Sequence, residues 1–551
     1  MASVRDPRAA LPPHVRTARE AIEREYRELG LHPGRVLAEV LASGAAAHSG
    51  CTITFASTER PASLTLAQIQ ADALRTAAAL HRLGLRAGDV LAVQLPNWPE
   101  TASLYFGAAA LGLVLLPIVP TYGPSEVSFI LRDANAKAFV MPARHRRADA
   151  VRDLARLGEQ PSLDHRIVVG DPVPDDAIGW DDLRASGRIE IPPPPQDASA
   201  LALIVYTSGT TAAPKGVQHS HDSVVAELRT SPTPPPDIPG TVSLQPFPAG
   251  HTAGLVAILA PAIHGYPTIL MDVWDPHVAA RLVAEHRVTA MAGTPVLVST
   301  LFDAGDEEGL DLSTLRHGTT GGAGVPPSLI ERVDARGFSL CRCYGATEGP
   351  SVTASPPNAP LEKRAYTDGR PLEGVRLRIL DDTARDLGAG EQGEIAVMAP
   401  ESFIGYTDPA LNEAAFTDDG FFLTGDIGYV DADGYLTITD RKKDIIIRGG
   451  ENISSKEVED VLVRHPGVHE AAVVAFPDPR LGERVCAFLV CAPGSELSLE
   501  DVRRHFEEEG VARHKTPERL ELVDGLPRTP AGKVRKPELR QRVSGAIPAD
   551  R

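Results

Sequence analysis

The sequence has few of the features that mark secreted or membrane-spanning proteins. Its 551 residues include five cysteines, an odd number that does not make a disulfide framework. Cys341 and Cys343 are spaced in a way that favours buried thiols over a zinc site. The longest apolar run, 106–120, is too short for a membrane span and contains Pro117. No basic segment followed by an apolar stretch opens the chain, so we expect a cytoplasmic protein without an integral membrane segment.

Positive charge is also in deficit. Lysine and arginine number 55 against 73 aspartates and glutamates, which gives a formal net charge of −18. Broad electrostatic binding of nucleic acid needs the opposite balance, so we expect no nucleic-acid partner. A phosphate ligand is still compatible with this charge, because a few backbone amides and cations can hold it in a compact site. The length predicts two or more domains.

Alternating helical and extended patterns fill the first two hundred residues. Helices are expected over 66–83, 100–111 and 126–134, and apolar strands over 89–95, 114–119 and 137–141. This alternation predicts an α/β fold with a doubly wound, mostly parallel sheet. From Ser454 the pattern becomes that of a compact α+β unit, and the charged stretch Asp440–Asp444 suits a linker between the two. Within that unit we expect helices near 456–464 and 499–509, and strands near 468–476, 484–490 and 519–523.

A loop rich in hydroxyl groups and glycine follows the apolar strand Leu201–Tyr206. It reads Thr207-Ser208-Gly209-Thr210-Thr211-Ala212-Ala213-Pro214-Lys215-Gly216. Its hydroxyls and backbone amides, with the ammonium group of Lys215, can wrap a triphosphate. It is not a Walker A loop, because Gly216 follows the lysine where a metal-binding serine or threonine is needed. Taken alone, the segment also fits a solvated turn.

The loop resembles the phosphate loop of the adenylate-forming superfamily of acyl-CoA synthetases, peptide-synthetase adenylation domains and firefly luciferase. The resemblance lies in Tyr-Thr-Ser-Gly-Thr-Thr followed by Pro-Lys-Gly-Val. Ala212 departs from the family, which usually has glycine there, and would be strained if the position needs positive φ. The resemblance implies that the nucleotide phosphates are bound by Thr207, Ser208, Gly209, Thr210, Thr211 and Lys215.

Two further blocks follow in the family's order. Gly321-Gly322-Ala323 resembles the segment that lies along the adenine, which implies nucleotide contacts for Gly322 and Ala323. Tyr344-Gly345-Ala346-Thr347-Glu348 resembles the family's aromatic-Gly-x-Thr-Glu block. The resemblance implies that the Tyr344 ring stacks on adenine and that the Thr347 hydroxyl bonds the α-phosphate. Glu348 is then the carboxylate that holds Mg²⁺, with Thr210 as a second metal contact.

The last blocks imply a ribose site, a hinge and a catalytic lysine. Leu423-Thr424-Gly425-Asp426 and Asp440-Arg441 resemble the family pair that grips the ribose hydroxyls, here Asp426 and Arg441. Lys443 falls at the hinge about which the C-terminal domain rotates, and rotation brings Gly449, Gly450 and Glu451 to the thiol channel. Lys533, within Pro527–Arg535, matches the lysine of adenylate formation.

Together the blocks imply an architecture and a reaction. The N-terminal AMP-binding domain, 1–442, is expected to combine doubly wound, mostly parallel sheets with a β-rich subdomain. The C-terminal domain, 443–551, is expected to be small, mobile and α+β. The implied enzyme is an AMP-forming acid–thiol ligase that uses ATP and Mg²⁺ to make an acyl-adenylate and pyrophosphate. Coenzyme A then displaces AMP.

The acid is less well specified than the reaction. Segment 245–254 resembles the family's entry to the acid pocket, with His251 at the gate and Thr252 beside it. Residues 245–258 contain no aspartate or glutamate to hold an α-amine and no asparagine of the hydroxybenzoate type. We therefore expect an aliphatic or alicyclic acid. The overall resemblance is closest to medium-chain and cyclohexanecarboxylate-type CoA ligases.

Other functions stay open at this point. A free-standing enzyme that loads a separate carrier protein shares every block, and no carrier is fused to this chain. A non-catalytic nucleotide-binding relative is disfavoured, because Lys215, Glu348, Asp426, Arg441 and Lys533 are all present. The motifs do not distinguish a luciferase-like oxygenase, although nothing specific supports one. The oligomeric state is open between monomer and homodimer.

Overall fold

A computed structural model gives the fold. It describes residues 7–146, 148–185, 190–207, 214–232, 240–448, 451–509, 511–529 and 532–544. These residues form two compact units. The first contains the described residues up to Leu377 together with Val397–Phe422, and the second contains Arg378–Ala396 and the chain from Leu423 onward. The boundary between 442 and 443 concerns a hinge motion and stays a prediction.

The described chain alternates helices and strands. The α-helices are α1 (Pro13–Glu28), α2 (Leu37–Ala47), α3 (Leu66–Arg82), α4 (Pro99–Leu111), α5 (Pro124–Asp133), α6 (Ala150–Leu154), α7 (Trp180–Ala185), α8 (His221–Thr230), α9 (Thr252–Leu259), α10 (Pro261–His264), α11 (Pro276–His286), α12 (Pro295–Glu308), α13 (Pro327–Asp334), α14 (Leu361–Tyr366), α15 (Ser455–Val463), α16 (Leu499–Glu508) and α17 (Lys536–Ser544). Short 3₁₀ helices span Pro7–Ala10, Pro409–Leu411, Lys442–Asp444 and Arg513–Lys515.

The strands of the first unit include every extended segment predicted before residue 210. They are β1 (Thr52–Ala56), β2 (Ala62–Thr65), β3 (Val90–Val93), β4 (Val114–Pro117), β5 (Ala138–Pro142), β6 (Arg144–His145), β7 (Ala148–Asp149), β8 (His165–Val169), β9 (Ile178–Gly179), β10 (Leu201–Thr207), β11 (Lys215–Ser220), β12 (Ser243–Gln245), β13 (Thr268–Met271), β14 (Ala290–Gly293), β15 (His317–Thr320), β16 (Ser339–Ala346), β17 (Gly349–Ala354), β18 (Arg370–Pro371) and, after the strands β19 and β20 given below, β21 (Gly405–Tyr406).

Two large, mostly parallel sheets build this unit. One has the order β18-β17-β16-β15-β14-β12-β13-β1-β2, and the other has the order β21-β11-β10-β4-β3-β5-β8-β9. In the second sheet β10 runs parallel to β4 and antiparallel to β11. The prediction of doubly wound, mostly parallel sheets is therefore confirmed.

Alternating side chains along the strands explain the layers. Leu91 and Val93 of β3 join a buried cluster shared by both sheets and by helices α2, α3, α4 and α9. Val90 and Ala92 of the same strand point to the opposite face, where they pack with α5. A strand buried on both faces is the pattern expected of a parallel sheet covered by helices. Helix α3 begins at the capping box of Thr65 and Gln68.

The second unit contains a small antiparallel sheet and an α+β fold. Its strands are β19 (Arg376–Leu380), β20 (Gly393–Met398), β22 (Phe422–Val430), β23 (Leu436–Arg441), β24 (Ile446–Arg448), β25 (Glu451–Ile453), β26 (Val468–Asp478), β27 (Gly482–Cys491) and β28 (Arg519–Leu522). Strands β19-β20-β22-β23 form one sheet, and β25-β24-β27-β26 form another in which β28 also pairs with β27. Val473 and Val485 pack with α15 and α16, whereas Val474 and Cys486 face α17. The predicted α+β unit after Ser454 is confirmed.

Candidate functional site: a nucleotide cradle and a ribose pair

The predicted phosphate loop connects two paired strands of the first unit. Strand β10 ends at Thr207, whose Cα pairs with that of Lys215 at the start of β11. Ser208, Gly209, Thr210, Thr211 and Ala212 lie outside the described residues. A loop that leaves the carboxyl end of a parallel strand lies at the edge where α/β proteins bind ligands.

Close packing holds the base of this hairpin. A Cβ atom on Gly216 would come within 2.5 Å of Thr407 Oγ1 and 2.8 Å of Tyr206 Cζ, so the position after Lys215 needs glycine. Thr407 Oγ1 and Tyr206 Oη each donate a hydrogen bond to Asp133 Oδ2, at 2.7 and 2.5 Å. The carboxylate of Asp133 therefore ties β10 to the chain after β21.

A tyrosine links the loop lysine to the predicted metal ligand. Lys215 Nζ lies 5.4 Å from the centre of the Tyr406 ring, within cation–π range. Tyr406 Oη donates a hydrogen bond of 2.7 Å to Glu348 Oε1. Burial, and then the Glu348 carboxylate, raise the pKa of Tyr406, which keeps the phenol a donor. The sequence analysis did not predict a role for Tyr406. In the sequence this residue is marked only by a Gly-Tyr pair after an apolar segment.

Tyr344 lies near the end of β16, and Thr347 and Glu348 form the turn between β16 and β17. A Cβ on Gly345 would lie 1.8 Å from Pro350 O, so only glycine fits there. Two backbone carbonyls of the turn are held by other elements. His219 Nε2 donates to Thr347 O at 2.8 Å, and the backbone N–H of Phe403 donates to Glu348 O at 2.8 Å. We call residues 344–348 the carboxylate turn.

The predicted adenine segment follows β15, and the carboxylate turn lies at the end of the neighbouring strand β16 of the same sheet. β15 runs parallel to β16, with Thr320 opposite Arg342. Gly322 has φ +75°, with nothing within 4 Å of an added Cβ, and Ala323 is exposed. A glycine with a left-handed backbone and open space lets a flat ligand approach the main chain.

The predicted gate of the acid pocket caps a buried helix. His251 is the N-cap residue of α9, and Thr252 begins the helix with a buried side chain. The Thr252 hydroxyl is buried and has no hydrogen-bond partner among the described residues. Gly250 packs closely against the chain just after β4, because an added Cβ would lie 2.3 Å from Ile118 C. The residues that follow Thr252 on α9 are apolar, and Leu255, Val256 and Ile258 among them are buried.

In the second unit the predicted ribose residues are neighbours. Asp426 on β22 and Arg441 on β23 are cross-strand partners, and Arg441 Nε lies 2.9 Å from Asp426 Oδ1. Asp426 is 4% exposed, whereas the Arg441 side chain is 44% exposed. A carboxylate accepts hydrogen bonds and an arginine donates them, so the pair has the chemistry needed to bind ribose hydroxyls.

The predicted hinge lies in a 3₁₀ turn, Lys442–Asp444, directly after β23. Lys443 O accepts a hydrogen bond of 3.3 Å from Arg540, which also lies 2.5 Å from Asp444 Oδ1. Asp440 Oδ2 accepts from the backbone N–H of Ser455 at 2.7 Å. These contacts join the strand before the turn to α15 and α17 after it, and no sequence signal identified them.

The remaining predicted residues are local to the second unit. Lys533 is exposed at the end of a tight turn, where its N–H donates to Thr529 Oγ1 and Gly532 has φ +83°. Glu451 begins β25, and its side chain is not described. Gly449 and Gly450 lie outside the described residues. Lys533, Asp426 and Arg441 thus belong to one unit, and Lys215, Thr347 and Glu348 belong to the other.

The donor set suits magnesium. The half-buried Glu348 carboxylate is bonded only through Oε1, so Oε2 has no hydrogen-bond partner among the described residues. Magnesium is usually bound by one or two carboxylates plus substrate phosphates and water. No group of three or more His, Cys, Asp or Glu in the described ranges is arranged to hold a metal ion. Among the helices that the structure describes, none has the length and apolar composition needed to cross a bilayer.

Comparison with known proteins matches two stretches of the chain to the two domains of one enzyme family. Residues 44–407 match the AMP-binding enzyme family, and 457–533 match the AMP-binding enzyme C-terminal domain. The chain is 34% identical over 472 residues to a medium-chain fatty-acid–CoA ligase of Escherichia coli, covering 85% of this chain and 83% of that protein. It is 32% identical over 527 residues to a 2,3-dihydroxybenzoate-AMP ligase of Bacillus subtilis, covering 94% and 96%.

A solved structure extends the likeness to three dimensions. The amide bond synthetase McbA from Marinactinospora thermotolerans superposes with a TM-score of 0.79 at 28% identity, covering 92% of this chain and 100% of that one. The chain belongs to the AMP-binding enzyme family, which confirms the resemblance to the adenylate-forming superfamily.

Proposed function

We propose that the protein is an ATP-dependent carboxylic acid–CoA ligase that forms an acyl-adenylate and then a thioester. The observation that carries the proposal is the link Lys215–Tyr406–Glu348 in the first unit. It joins a cation for phosphate oxygens to a carboxylate for a divalent metal beside the loop that follows β10. The carboxyl ends of parallel strands are where α/β proteins bind ligands such as nucleotides.

Each of the chain's own groups has a defined task in the first half-reaction. A carboxylate is a poor electrophile and must be activated before a thiol can attack it. Its oxygen attacks the α-phosphorus of ATP and displaces pyrophosphate, which gives the acyl-adenylate. Lys215 and the loop amides neutralise phosphate oxygens, and Thr347 donates to the α-phosphate. Glu348, with Thr210, would hold Mg²⁺, which supplies positive charge at the phosphates. Lys533 is assigned to bridge the attacking carboxylate and the α-phosphate.

The ribose and thiol steps use the second unit. Asp426 and Arg441 are assigned to the ribose hydroxyls because they already form a fixed pair with one buried carboxylate. Rotation about Lys443 withdraws Lys533 and brings Gly449, Gly450 and Glu451 to the thiol channel. Domain rotation of this kind separates two reactions that need different groups at one site. The proposed domains are accordingly 1–442 and 443–551.

The acid is proposed to be aliphatic or alicyclic. Leu255, Val256 and Ile258, on α9 itself, are buried apolar side chains that follow the predicted gate. At the start of α9 the buried Thr252 hydroxyl, which is neutral, has no hydrogen-bond partner among the described residues. A neutral, apolar pocket favours an uncharged acyl chain over an amino acid, whose ammonium group needs a carboxylate. The medium-chain fatty-acid–CoA ligase relative is in line with this choice.

A carrier protein is the second candidate acceptor. One relative is named as an AMP ligase and the McbA structure as an amide bond synthetase, so coenzyme A is not part of every relative's name. Both alternatives share the first half-reaction. They differ only in what removes the acyl group from AMP.

The test is AMP release by the purified protein with Mg-ATP and a panel of carboxylic acids, each with and without coenzyme A. Multiple turnovers that require coenzyme A, with one class of acid, are expected and would identify that class. Pyrophosphate release that stops after about one turnover with or without coenzyme A would favour the carrier-protein loader. Absence of ATP–pyrophosphate exchange with every acid would contradict adenylate formation and favour a non-catalytic relative.

A further inference from the structure

Two glutamates that the proposed reaction does not use lie buried in the first unit. Glu401, between β20 and β21, is 0% exposed, and Glu227 on α8 is 6% exposed. Ser351 Oγ donates to Glu227 Oε1 at 2.9 Å. Glu227 Oε2 and both carboxyl oxygens of Glu401 have no hydrogen-bond partner in the part of the chain that the structure describes.

Such a pair cannot carry two negative charges at low cost. Burying a charged carboxylate without hydrogen-bond donors has a large free-energy cost, and the carboxyl group avoids that cost by taking up a proton. Burial raises the pKa of Glu227 to about 7. Burial, and then the charge of Glu227, raise the pKa of Glu401 well above its ordinary value of 4.5. A charge on Glu227 therefore makes ionisation of Glu401 more costly.

Both glutamates are connected to the carboxylate turn. Ser351, the partner of Glu227, lies on β17 directly after the turn. Phe403, two residues beyond Glu401, donates its N–H to Glu348 O. Glu227 thus bonds the strand that follows the turn, and Glu401 lies in the segment whose Phe403 N–H holds a carbonyl of the turn.

We propose that Glu227 and Glu401 are positioning residues, a buried pair that must keep at least one proton for the carboxylate turn to present Thr347 and Glu348. The inference rests on the proposed function, which assigns those two residues to ATP. When the pair takes on a second charge, mutual repulsion in the low-dielectric interior displaces Ser351 or segment 401–403, and the turn moves with them.

The other titratable groups around the pair do not neutralise it. His219 on β11 is buried, and burial lowers its pKa to about 4, so it is uncharged at neutral pH. Arg19 on α1 donates to Phe403 O rather than to either glutamate. Tyr26 on α1 and Cys343 on β16 are the remaining groups, and burial raises the pKa of each, to about 12 for the thiol. Protons are then what balances the pair.

The test compares pH profiles of ATP–pyrophosphate exchange from about pH 6 to about pH 10 in four proteins. These are the parent, Glu227→Gln, Glu401→Gln and the surface control Glu285→Gln. The parent and the control should lose rate on an alkaline limb of about tenfold per pH unit. Both buried variants should retain the neutral rate within about threefold and lose that limb, because one glutamate cannot form a doubly charged pair. Titratable groups elsewhere in the protein are the same in all four proteins, so they cannot cause a difference between the profiles.

An infrared measurement gives a readout that does not depend on activity. The parent at neutral pH should show the C=O band of a protonated carboxyl group, and the band should be diminished in each buried variant and unchanged in the control. An identical alkaline limb in all four proteins, or absence of that band from the parent, would overturn the proposal. So would exchange that requires K⁺ or Na⁺ in the parent and not in the variants, since a cation would then balance the pair. If no acid supports exchange, the proposed function fails, and the infrared band still decides whether the pair holds a proton.

Discussion

The phenol of Tyr406 donates a 2.7 Å hydrogen bond to Glu348 Oε1 while its ring lies against the ammonium group of Lys215. One side chain therefore sets the orientation of the proposed metal ligand and contacts the cation assigned to the phosphates. Outer-shell partners of this kind fix ligand geometry, and their loss typically lowers metal affinity by about 10- to 100-fold. The pair gives the first of four predictions.

Replacing Tyr406 with phenylalanine should weaken magnesium binding without removing the contact to Lys215. The ring remains, but Glu348 loses its orienting donor, so the Mg²⁺ concentration for half-maximal exchange should rise roughly tenfold. Tyr366→Phe is a matched control, because Tyr366 also donates to a glutamate, Glu331 at 3.0 Å, on the surface. Equal magnesium dependence in parent and Tyr406→Phe would show that the phenol does not orient the carboxylate.

Lys533→Ala should abolish adenylate formation. Removing one preorganised donor to a developing charge typically lowers the rate by about 10²–10³. Pyrophosphate exchange measures the step directly. Arg535→Ala serves as the control, since Arg535 is exposed in the same segment and pairs with Glu538. An alanine variant that exchanges at the parent rate would assign the lysine role elsewhere.

Lys443→Pro should block thioester formation and spare adenylation. Proline fixes φ and removes the N–H in the 3₁₀ turn Lys442–Asp444, which prevents the backbone rotation required of a hinge. Single-turnover measurement of each half-reaction tests this. Lys442→Ala, which loses only an exposed pair with Glu394, is the control. Equal loss of both half-reactions would mean that residue 443 is not the hinge.

His219 should make folding sensitive to acid. Burial lowers its pKa from 6.5 to about 4, so the unfolded chain binds a proton between these values and the folded protein does not. Stability from this group is therefore complete above about pH 6.5 and falls as the pH drops toward 4, by about 1.4 kcal/mol per pH unit at most.

Denaturant unfolding at several pH values measures this effect. His219→Gln keeps a donor for Thr347 O and removes the titration, so it should lose less stability than the parent between pH 6.5 and 4. The exposed His286→Gln variant should behave as the parent. A parallel pH dependence in His219→Gln and the parent would mean that the buried imidazole is not the titrating group.

Much of the fold could be predicted because its signals are local. The alternation over 66–141 gave α3, α4 and α5 and strands β3, β4 and β5 within a few residues. Hydrophobic periodicity reports which face of a segment is buried, and that is a property of neighbouring positions. The assignment of Arg378–Ala396 to the same compact unit as the chain after Leu423 has no such local signal. It depends on strand pairing between distant segments.

The candidate site divides in the same way. The sequence alone predicted the phosphate loop, the carboxylate turn, the Asp426 and Arg441 blocks and the segment of Lys533, because each is a short motif whose residue types carry the expected chemistry. Tertiary structure decided that Tyr406 reaches Glu348, that His219 holds Thr347 O, and that Glu227 and Glu401 are buried without enough donors. Burial and long-range hydrogen bonds arise only when the sheets and helices pack, and solvent exclusion is what gives those groups their unusual charge states.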